Sequence, residues 1–309
     1  MTTPRRRVQF PSDDTQCAAW YYPGTNGACV VMAGGFAVPK EPATDQFARR
    51  FHEAGFSVLA FDYRGLGESG GAPRLVFPVG RQLADWRAAI NFARSRPGVD
   101  PGKVALWAFS ASGGFVLSVA ASDPHLAAVI AQTPNADGLA ALRNARRHQK
   151  AAAMLRFTGR ALLDAAGSLV GQPPRLVALT GPPGTVAMLT TPDSLDGQRA
   201  LHAADYPHWQ QQVAARSALR IAFYRPGRHV RRIQVPLLVL VCDDDQTSLA
   251  APAAKAAHRA PRGELSRMPG GHYEPFLDGH DHAVDVELDF LQRHVLPRPA
   301  QLGMSAKRL

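Results

Sequence analysis

The chain has 309 residues, of which 46% are hydrophobic and 19% are charged, and its formal net charge is +10 at pH 7. This length and hydrophobic content predict one large core or two small ones and exclude a disordered chain. The three cysteines are odd in number and far apart, which argues against a secreted disulfide framework and favours a cytoplasmic location. Lys and Arg are scattered rather than interleaved with aromatic residues, so we expect a cationic surface and no nucleic-acid partner.

Apolar segments typical of buried strands alternate with amphipathic segments through the first 135 residues. Strands are predicted at residues 7–10, 17–22, 29–32, 56–61, 104–107 and 126–131. Helical spacing is present at residues 45–54, after Gly80, and at residues 115–121. Strand, helix and strand in repetition predict a mostly parallel sheet flanked by helices.

The alternation stops near Gly138 and resumes with a strand at residues 235–241, a helix at 252–260, a short strand at 264–268 and a last helix. No apolar run approaches the ~20 residues that a membrane-spanning helix needs, so no membrane span is expected. We therefore predict an α/β core made of residues 1–138 and 228–309. A mainly helical lid or cap, residues 139–227, interrupts this core and is called the insertion below.

The segment from Val104 to Gly114 runs from a predicted buried strand through a turn of small residues into a helix. A serine in so tight a turn projects from the carboxyl edge of the sheet, at the amide-rich, positive end of the helix. Ser110 and Ser112 both have small residues two positions away on each side. The strand favours Ser110, because a turn at Ser112 would carry Phe109 and Ser110 into the sheet.

A serine hydroxyl is inert near neutral pH unless a histidine accepts its proton and an acid orients that histidine. With a strand–turn–helix serine, the acid and then the histidine follow later in the chain, each after a strand. Three aspartates, Asp243, Asp244 and Asp245, follow the strand at 235–241. His272 follows the last short strand in a Gly-rich turn.

These features resemble the α/β-hydrolase superfamily, and within it a bacterial subgroup near the X-Pro dipeptidyl-peptidase-like and dienelactone-hydrolase-like serine hydrolases. Residues 61–69 (FDYRGLGES) match the family's D-x-R-G-x-G-x-S segment. Residues 104–114 resemble its G-x-S-x-x-G-G elbow, with Ala108 in place of the first Gly. The resemblance implies an α/β-hydrolase fold over almost the whole chain.

The resemblance also implies roles for individual residues. Ser110 would be the nucleophile, His272 the base and Asp245 the acid, while Asp137 occupies the position that some members use for the acid instead. The backbone N–H groups of Phe36 and Ala111 would form the oxyanion hole. The family has His-Gly in the loop after the third strand, and this chain has Gly34-Gly35 there, followed by Phe36.

The implied activity is that of a serine hydrolase that cleaves a small-molecule carboxylic ester or thioester through an acyl-enzyme, with no metal and no cofactor. The insertion would act as a lid whose apolar side chains line the acyl pocket: Leu155, Phe157, Leu162, Leu163, Trp209 and Phe223. A dinucleotide cofactor is not expected from the G-x-G-x-x-G at residues 65–70, because prolines rather than a helix follow it.

Three alternatives stay open at this stage. A polyketide-type acyltransferase would pass the same acyl group to an alcohol or amine. An X-Pro or proline-type aminopeptidase would need acids in the insertion to hold the substrate's ammonium group, and Asp164, Asp193, Asp196 and Asp205 are available. A catalytically silent fold member would only bind a ligand or partner. The oligomeric state, a homo-oligomer included, is also open.

Overall fold

The computed structural model describes residues 5–296 of the chain. Its strands are β1 (Arg6–Ser12), β2 (Thr15–Tyr22), β3 (Cys29–Ala33), β4 (Ser57–Phe61), β5 (Val104–Phe109), β6 (Ala128–Gln132), β7 (Leu176–Thr180), β8 (Ala187–Leu189), β9 (Gln212–Ala214), β10 (Leu237–Cys242) and β11 (Gly263–Met268). Its α-helices are α1 (Lys40–Glu53), α2 (Val79–Arg94), α3 (Ser110–Ala120), α4 (Gly138–His148), α5 (Ala151–Leu169), α6 (Gly197–Ala200), α7 (Ser217–Ile221), α8 (Ala250–Arg259) and α9 (His280–Val295).

Eight of these strands form one sheet in the order β1-β2-β4-β3-β5-β6-β10-β11. The pairs β1–β2 and β2–β4 are antiparallel, and every later pair is parallel. All residues of β3, β4, β5, β6 and β10 are buried, as continuous apolar strands under helices on both faces must be. The predicted strands of this sheet are confirmed, with ends shifted by at most two residues.

Helices cover both faces of the sheet. On one face of the sheet α1 packs against α9, and α9 also contacts β5, β6 and β10. A second pair of helices, α2 and α3, packs together. Helix α3 begins at Ser110, five residues before the predicted start. Its first turn carries Gly113, where a Cβ would lie 2.9 Å from the Cβ of Pro134, so close packing requires glycine there and hides the helical pattern.

Between β6 and β10 the chain leaves the main sheet. Helices α4 and α5 come first and are followed along the chain by β7, β8, the short helix α6, β9 and α7. The three strands form a second sheet in the order β8-β7-β9. This small sheet was not predicted, because its strands are only three to five residues long and partly lie in a Pro- and Gly-rich stretch. None of the helices described between residues 5 and 296 combines the length and the hydrophobicity that spanning a bilayer requires.

Candidate active site

Ser110 lies at the junction of β5 and α3 with a backbone φ of 59°. Residues with a side chain rarely adopt this left-handed conformation, at a cost of about 1–3 kcal/mol, so the surrounding structure must hold it. Part of that support is local: the Asn135 N–H donates to the Ser110 carbonyl at 3.0 Å. The side chain is directed to the carboxyl edge of the sheet, and the residue is only 9% exposed.

The Ser110 hydroxyl lies 2.9 Å from Nε2 of His272. Nδ1 of the same ring lies 2.7 Å from Oδ2 of Asp245. The other oxygen of Asp245 accepts the backbone N–H groups of Thr247 at 2.8 Å and Ser248 at 2.6 Å. An ionised carboxylate only accepts hydrogen bonds, so Nδ1 carries the proton and Nε2 is left to accept the proton of Ser110.

Asp137, the alternative acid, lies elsewhere. One of its oxygens caps the start of α4 by accepting the N–H groups of Leu139 and Ala140, and the other accepts two N–H bonds from Arg225 at 2.7 and 2.9 Å. Partial burial alone would raise the pKa of Asp137, but the guanidinium and the two amides hold that pKa below its ordinary value. Its described hydrogen bonds therefore come from the start of α4 and from Arg225, and none comes from His272.

Ser112, the alternative serine, is fully buried in the first turn of α3. Its hydroxyl contacts the Tyr63 hydroxyl at 2.7 Å and donates to the Gly34 carbonyl. These partners direct it away from His272. Among the residues that the structure describes, Ser110 is the serine whose hydroxyl contacts a histidine.

Phe36 and Ala111 both flank Ser110. Phe36 lies in the loop between β3 and α1 and lines the same cavity as Ser110, while Ala111 is the next residue of α3. Within residues 5–296, the Phe36 N–H has no backbone hydrogen-bond acceptor. Ala111 is the second residue of α3, and the N–H groups of a helix's first turn have no acceptor within the helix. Two free N–H groups beside a buried hydroxyl are suited to binding a developing oxyanion.

Asp193, from the insertion, ties together the two loops that carry Asp245 and His272. Its Oδ2 accepts the backbone N–H groups of Gln246 at 2.7 Å, Thr247 at 3.2 Å and His272 at 3.3 Å, and its Oδ1 accepts the Thr247 hydroxyl at 2.9 Å. Sequence reasoning missed this role. The contacting residues are 53 to 79 positions apart in the chain, so no local sequence pattern indicates these contacts.

The cavity beside Ser110 has a volume of only about 20 Å³. Its apolar lining comes from both the core and the insertion: Phe36, Val38, Leu179, Leu189, Trp209 and Tyr273. Thr180, Gln198 and Gln211 supply neutral polar groups. No Asp, Glu, Lys or Arg from the described part of the chain lines this cavity.

Of the residues expected to line the acyl pocket, the structure brings Trp209 to Ser110 and leaves the others apart. Phe157 is half-buried against the core, whereas Leu155 is 75% and Phe223 is 67% exposed. Leu162 and Leu163 are exposed as well. The reason is the orientation of α5, which buries Ala153, Ala161 and Asp164 and turns its leucines outward.

Phe223 instead lines an open groove of about 1260 Å³ between α2, α5 and α7. This groove is far larger than the cavity beside Ser110, yet none of Ser110, His272 and Asp245 lines it. Size therefore does not locate the site here, and the hydrogen-bonded side chains do.

The four acids considered for an ammonium site in the insertion do not converge. Asp164 pairs with Arg216, and Asp193 is occupied by the loops described above. Asp196 and Asp205 are exposed on separate turns. No pair of these acids faces the cavity within the described chain.

A mostly parallel eight-stranded sheet with a serine at the end of a central strand defines an α/β-hydrolase, and the expected superfamily is confirmed. Residues 25–279 match the family described as Hydrolase_4, serine aminopeptidase S33. The chain therefore belongs to this family and is a serine hydrolase.

Known proteins similar to the chain support the assignment. The quorum-quenching protein AidA of Acinetobacter baumannii (strain MDR-ZJ06) is 38% identical over 93% of this chain and 94% of the relative. The polyketide transferase af380 of Aspergillus fumigatus (strain ATCC MYA-4609 / CBS 101355 / FGSC A1100 / Af293) is 26% identical over 94% of this chain and 99% of the relative. The crystal structure of the alpha/beta hydrolase GrgF from Penicillium sp. sh18 has the same fold, with a TM-score of 0.79, 23% identity, and coverage of 94% of this chain and 99% of that chain.

Proposed function

We propose that the protein cleaves a carboxylic ester or thioester through an acyl-enzyme, with Ser110 as nucleophile, His272 as general base and Asp245 as the acid that orients the histidine. The observation that carries the proposal is the unbroken chain of hydrogen bonds from Asp245 through His272 to Ser110, at 2.7 and 2.9 Å. All three side chains are buried, so the chain of bonds is shielded from competing water.

In the proposed first step, Nε2 of His272 accepts the hydroxyl proton as the oxygen of Ser110 attacks the substrate carbonyl carbon. The tetrahedral intermediate then collapses, and the imidazolium returns the proton to the departing alcohol or thiol. Water attacks the acyl-enzyme in the second step with the same base, which releases the acid and restores Ser110. Asp245 stabilises the imidazolium in both steps.

The N–H groups of Phe36 and Ala111 would hold the negative charge on the carbonyl oxygen of the intermediate. Because these donors are in place before the reaction, each is worth about 2.7–4 kcal/mol of barrier lowering in comparable sites. The N-terminus of α3 adds its positive dipole end at the same point.

The lining of the cavity supports a neutral acyl group. Binding a substrate ammonium would require a carboxylate at the cavity wall, and the acids of the insertion are engaged or exposed elsewhere. This argues against the aminopeptidase alternative. Since Trp209, Leu179 and Leu189 of the insertion close the cavity to about 20 Å³, we infer that the insertion acts as a lid that must shift for a long acyl chain.

Acyl transfer is a second candidate that the shielding of Ser110 favours. The residue is only 9% exposed, and a site that excludes water protects an acyl-enzyme until another acceptor arrives. The full-length relative named a polyketide transferase is consistent with it. Product analysis with a short acyl thioester and added alcohols or amines separates the two candidates, since transfer yields a new ester or amide and hydrolysis yields the free acid.

Substitution of the serine tests the proposal. Ser110→Ala should lower kcat on p-nitrophenyl esters and acyl thioesters by about 10⁶-fold and abolish labelling by a fluorophosphonate probe. Ser118→Ala, on the same helix, is the matched control and should keep both. Peptide mapping of the labelled wild-type protein should place the probe on Ser110. Retained turnover in Ser110→Ala, or a probe on Ser112, would overturn the assignment.

A further inference from the structure

The loop from Gly34 to Lys40 joins β3 to α1 and carries Phe36, one of the two proposed oxyanion donors. Its far end is held to the Asp62 carboxylate, which accepts the Lys40 backbone N–H at 2.8 Å. In its middle, the Trp209 indole N–H donates to the Ala37 carbonyl at 2.9 Å. The end nearest to Ser110 is held differently, by a chain of hydroxyl groups.

That chain has three hydrogen bonds in series. The Trp86 indole N–H lies 2.7 Å from the Tyr63 hydroxyl, the Tyr63 hydroxyl lies 2.7 Å from Oγ of Ser112, and Ser112 contacts the Gly34 carbonyl oxygen. All three side chains are buried. The helix that positions Ser110 therefore also holds the loop that carries Phe36.

The chemistry of the two ends determines the direction of every bond. The indole nitrogen of Trp86 can only donate and the carbonyl oxygen of Gly34 can only accept. The Tyr63 proton must therefore go to Ser112, and the Ser112 proton must go to Gly34. Burial raises the pKa of Tyr63, so its hydroxyl keeps the proton that this direction requires.

We propose that Tyr63 and Ser112 are positioning residues for the oxyanion hole: they hold the Gly34 peptide so that the Phe36 N–H points at the oxygen of the tetrahedral intermediate. The inference rests on the proposed function and extends it to residues that touch no substrate. Without the Ser112 hydroxyl, the Gly34 carbonyl becomes a buried acceptor without a partner, and the loop is free to shift. A displacement of about 1 Å at such a donor can cost about 10²-fold in rate.

The test is a double-mutant cycle read in kcat and KM. Ser112→Ala should lower kcat by about 10- to 100-fold with KM changed less than about twofold, because donor alignment matters most in the transition state. Tyr63→Phe leaves the Ser112 hydroxyl in place, so the decrease in kcat should be smaller, about 3- to 10-fold. Since Tyr63 acts through Ser112, the double variant should be no slower than Ser112→Ala alone.

A second readout separates alignment from stability. A trifluoromethyl ketone that adds to Ser110 forms a stable tetrahedral oxyanion. In each variant its inhibition constant should rise by the same factor by which kcat/KM falls. A purely structural role would lower the unfolding midpoint without this parallel. If Ser112→Ala does not fold, Tyr63→Phe decides alone, since it removes the proton donor and very little volume.

The chain offers a matched control. Tyr224 and Ser118 form another tyrosine–serine pair against α3, at 2.5 Å, that does not reach the loop from Gly34 to Lys40. Tyr224→Phe and Ser118→Ala should leave kcat within about twofold of wild type. Given that Ser110→Ala is inactive, either of two results overturns the proposal. One is that Ser112→Ala or Tyr63→Phe turns over substrate at the wild-type rate, and the other is that the effects of the two substitutions on kcat add. Activity in Ser110→Ala would instead defeat the proposed function.

Discussion

Removal of the Asp193 carboxylate should loosen two loops at once. In Asp193→Ala, the Thr247 N–H keeps its bond to Asp245 at 2.8 Å, and the Thr247 hydroxyl can donate to the Thr191 hydroxyl at 2.7 Å. The backbone N–H groups of Gln246 and His272, however, lose the acceptor that the structure gives them. A buried donor without a partner costs about 1–3 kcal/mol, so two donors predict a loss of about 2–6 kcal/mol in the free energy of unfolding. Gln246 is half-buried, which places the expectation toward the lower end.

Asp193→Asn should be milder, with a loss of about 1 kcal/mol. Its amide oxygen still accepts the loop N–H groups, and its NH₂ group can donate to the Thr247 hydroxyl, which now lies opposite a donor instead of an acceptor. The change therefore removes charge from the bonds while the backbone N–H groups of the two loops keep an acceptor. We therefore expect the free energy of unfolding to be well lower for Asp193→Ala than for Asp193→Asn, and this order follows from hydrogen-bond geometry.

Urea unfolding followed by tryptophan fluorescence measures these differences, and kcat on a short ester reports the placement of His272. Asp196→Ala is the control, because Asp196 lies in the same turn, has a 52% exposed side chain and, within residues 5–296, forms an ion pair with Arg199 alone. If Asp193→Ala unfolded at the same urea concentration as Asp196→Ala, the carboxylate would not hold the loops and the reasoning would be wrong.

Two further predictions concern carboxyl groups. Asp245→Asn should lower kcat by about 10⁴-fold by presenting the wrong histidine tautomer, while Asp137→Asn should stay within a few-fold; the reverse order in steady-state kinetics would move the acid to Asp137. Glu287 is a buried residue of α9, one oxygen of which accepts the indole N–H of Trp107 in β5 at 2.8 Å, and burial raises its pKa well above the ordinary value. Above pH ~4.3 the unfolded chain loses this proton and the native protein keeps it, so stability falls with rising pH by up to about 1.4 kcal/mol per unit. Glu287→Gln should therefore gain stability relative to wild type between pH 5 and 8 in urea unfolding, and an equal difference at both pH values would refute this.

The sequence by itself determined which segments form the strands of the main sheet. Each of β3, β4, β5, β6 and β10 is a short apolar run buried on both faces, and such runs are readable without neighbours. The small residues around Ser110 likewise indicated a sharp turn, because a tight bend restricts side-chain size within a few positions. Both features depend on local chemistry.

The side chains that meet across the site were decided by the tertiary structure. Asp137 and Asp245 both follow a strand, and only the order of the strands and the paths of their loops bring Asp245, rather than Asp137, to His272. The leucines of α5 were expected to face a pocket, but its alanines and Asp164 pack inward instead. A helix with apolar residues on two faces does not specify which face is buried, since that depends on the shape of the partner surface.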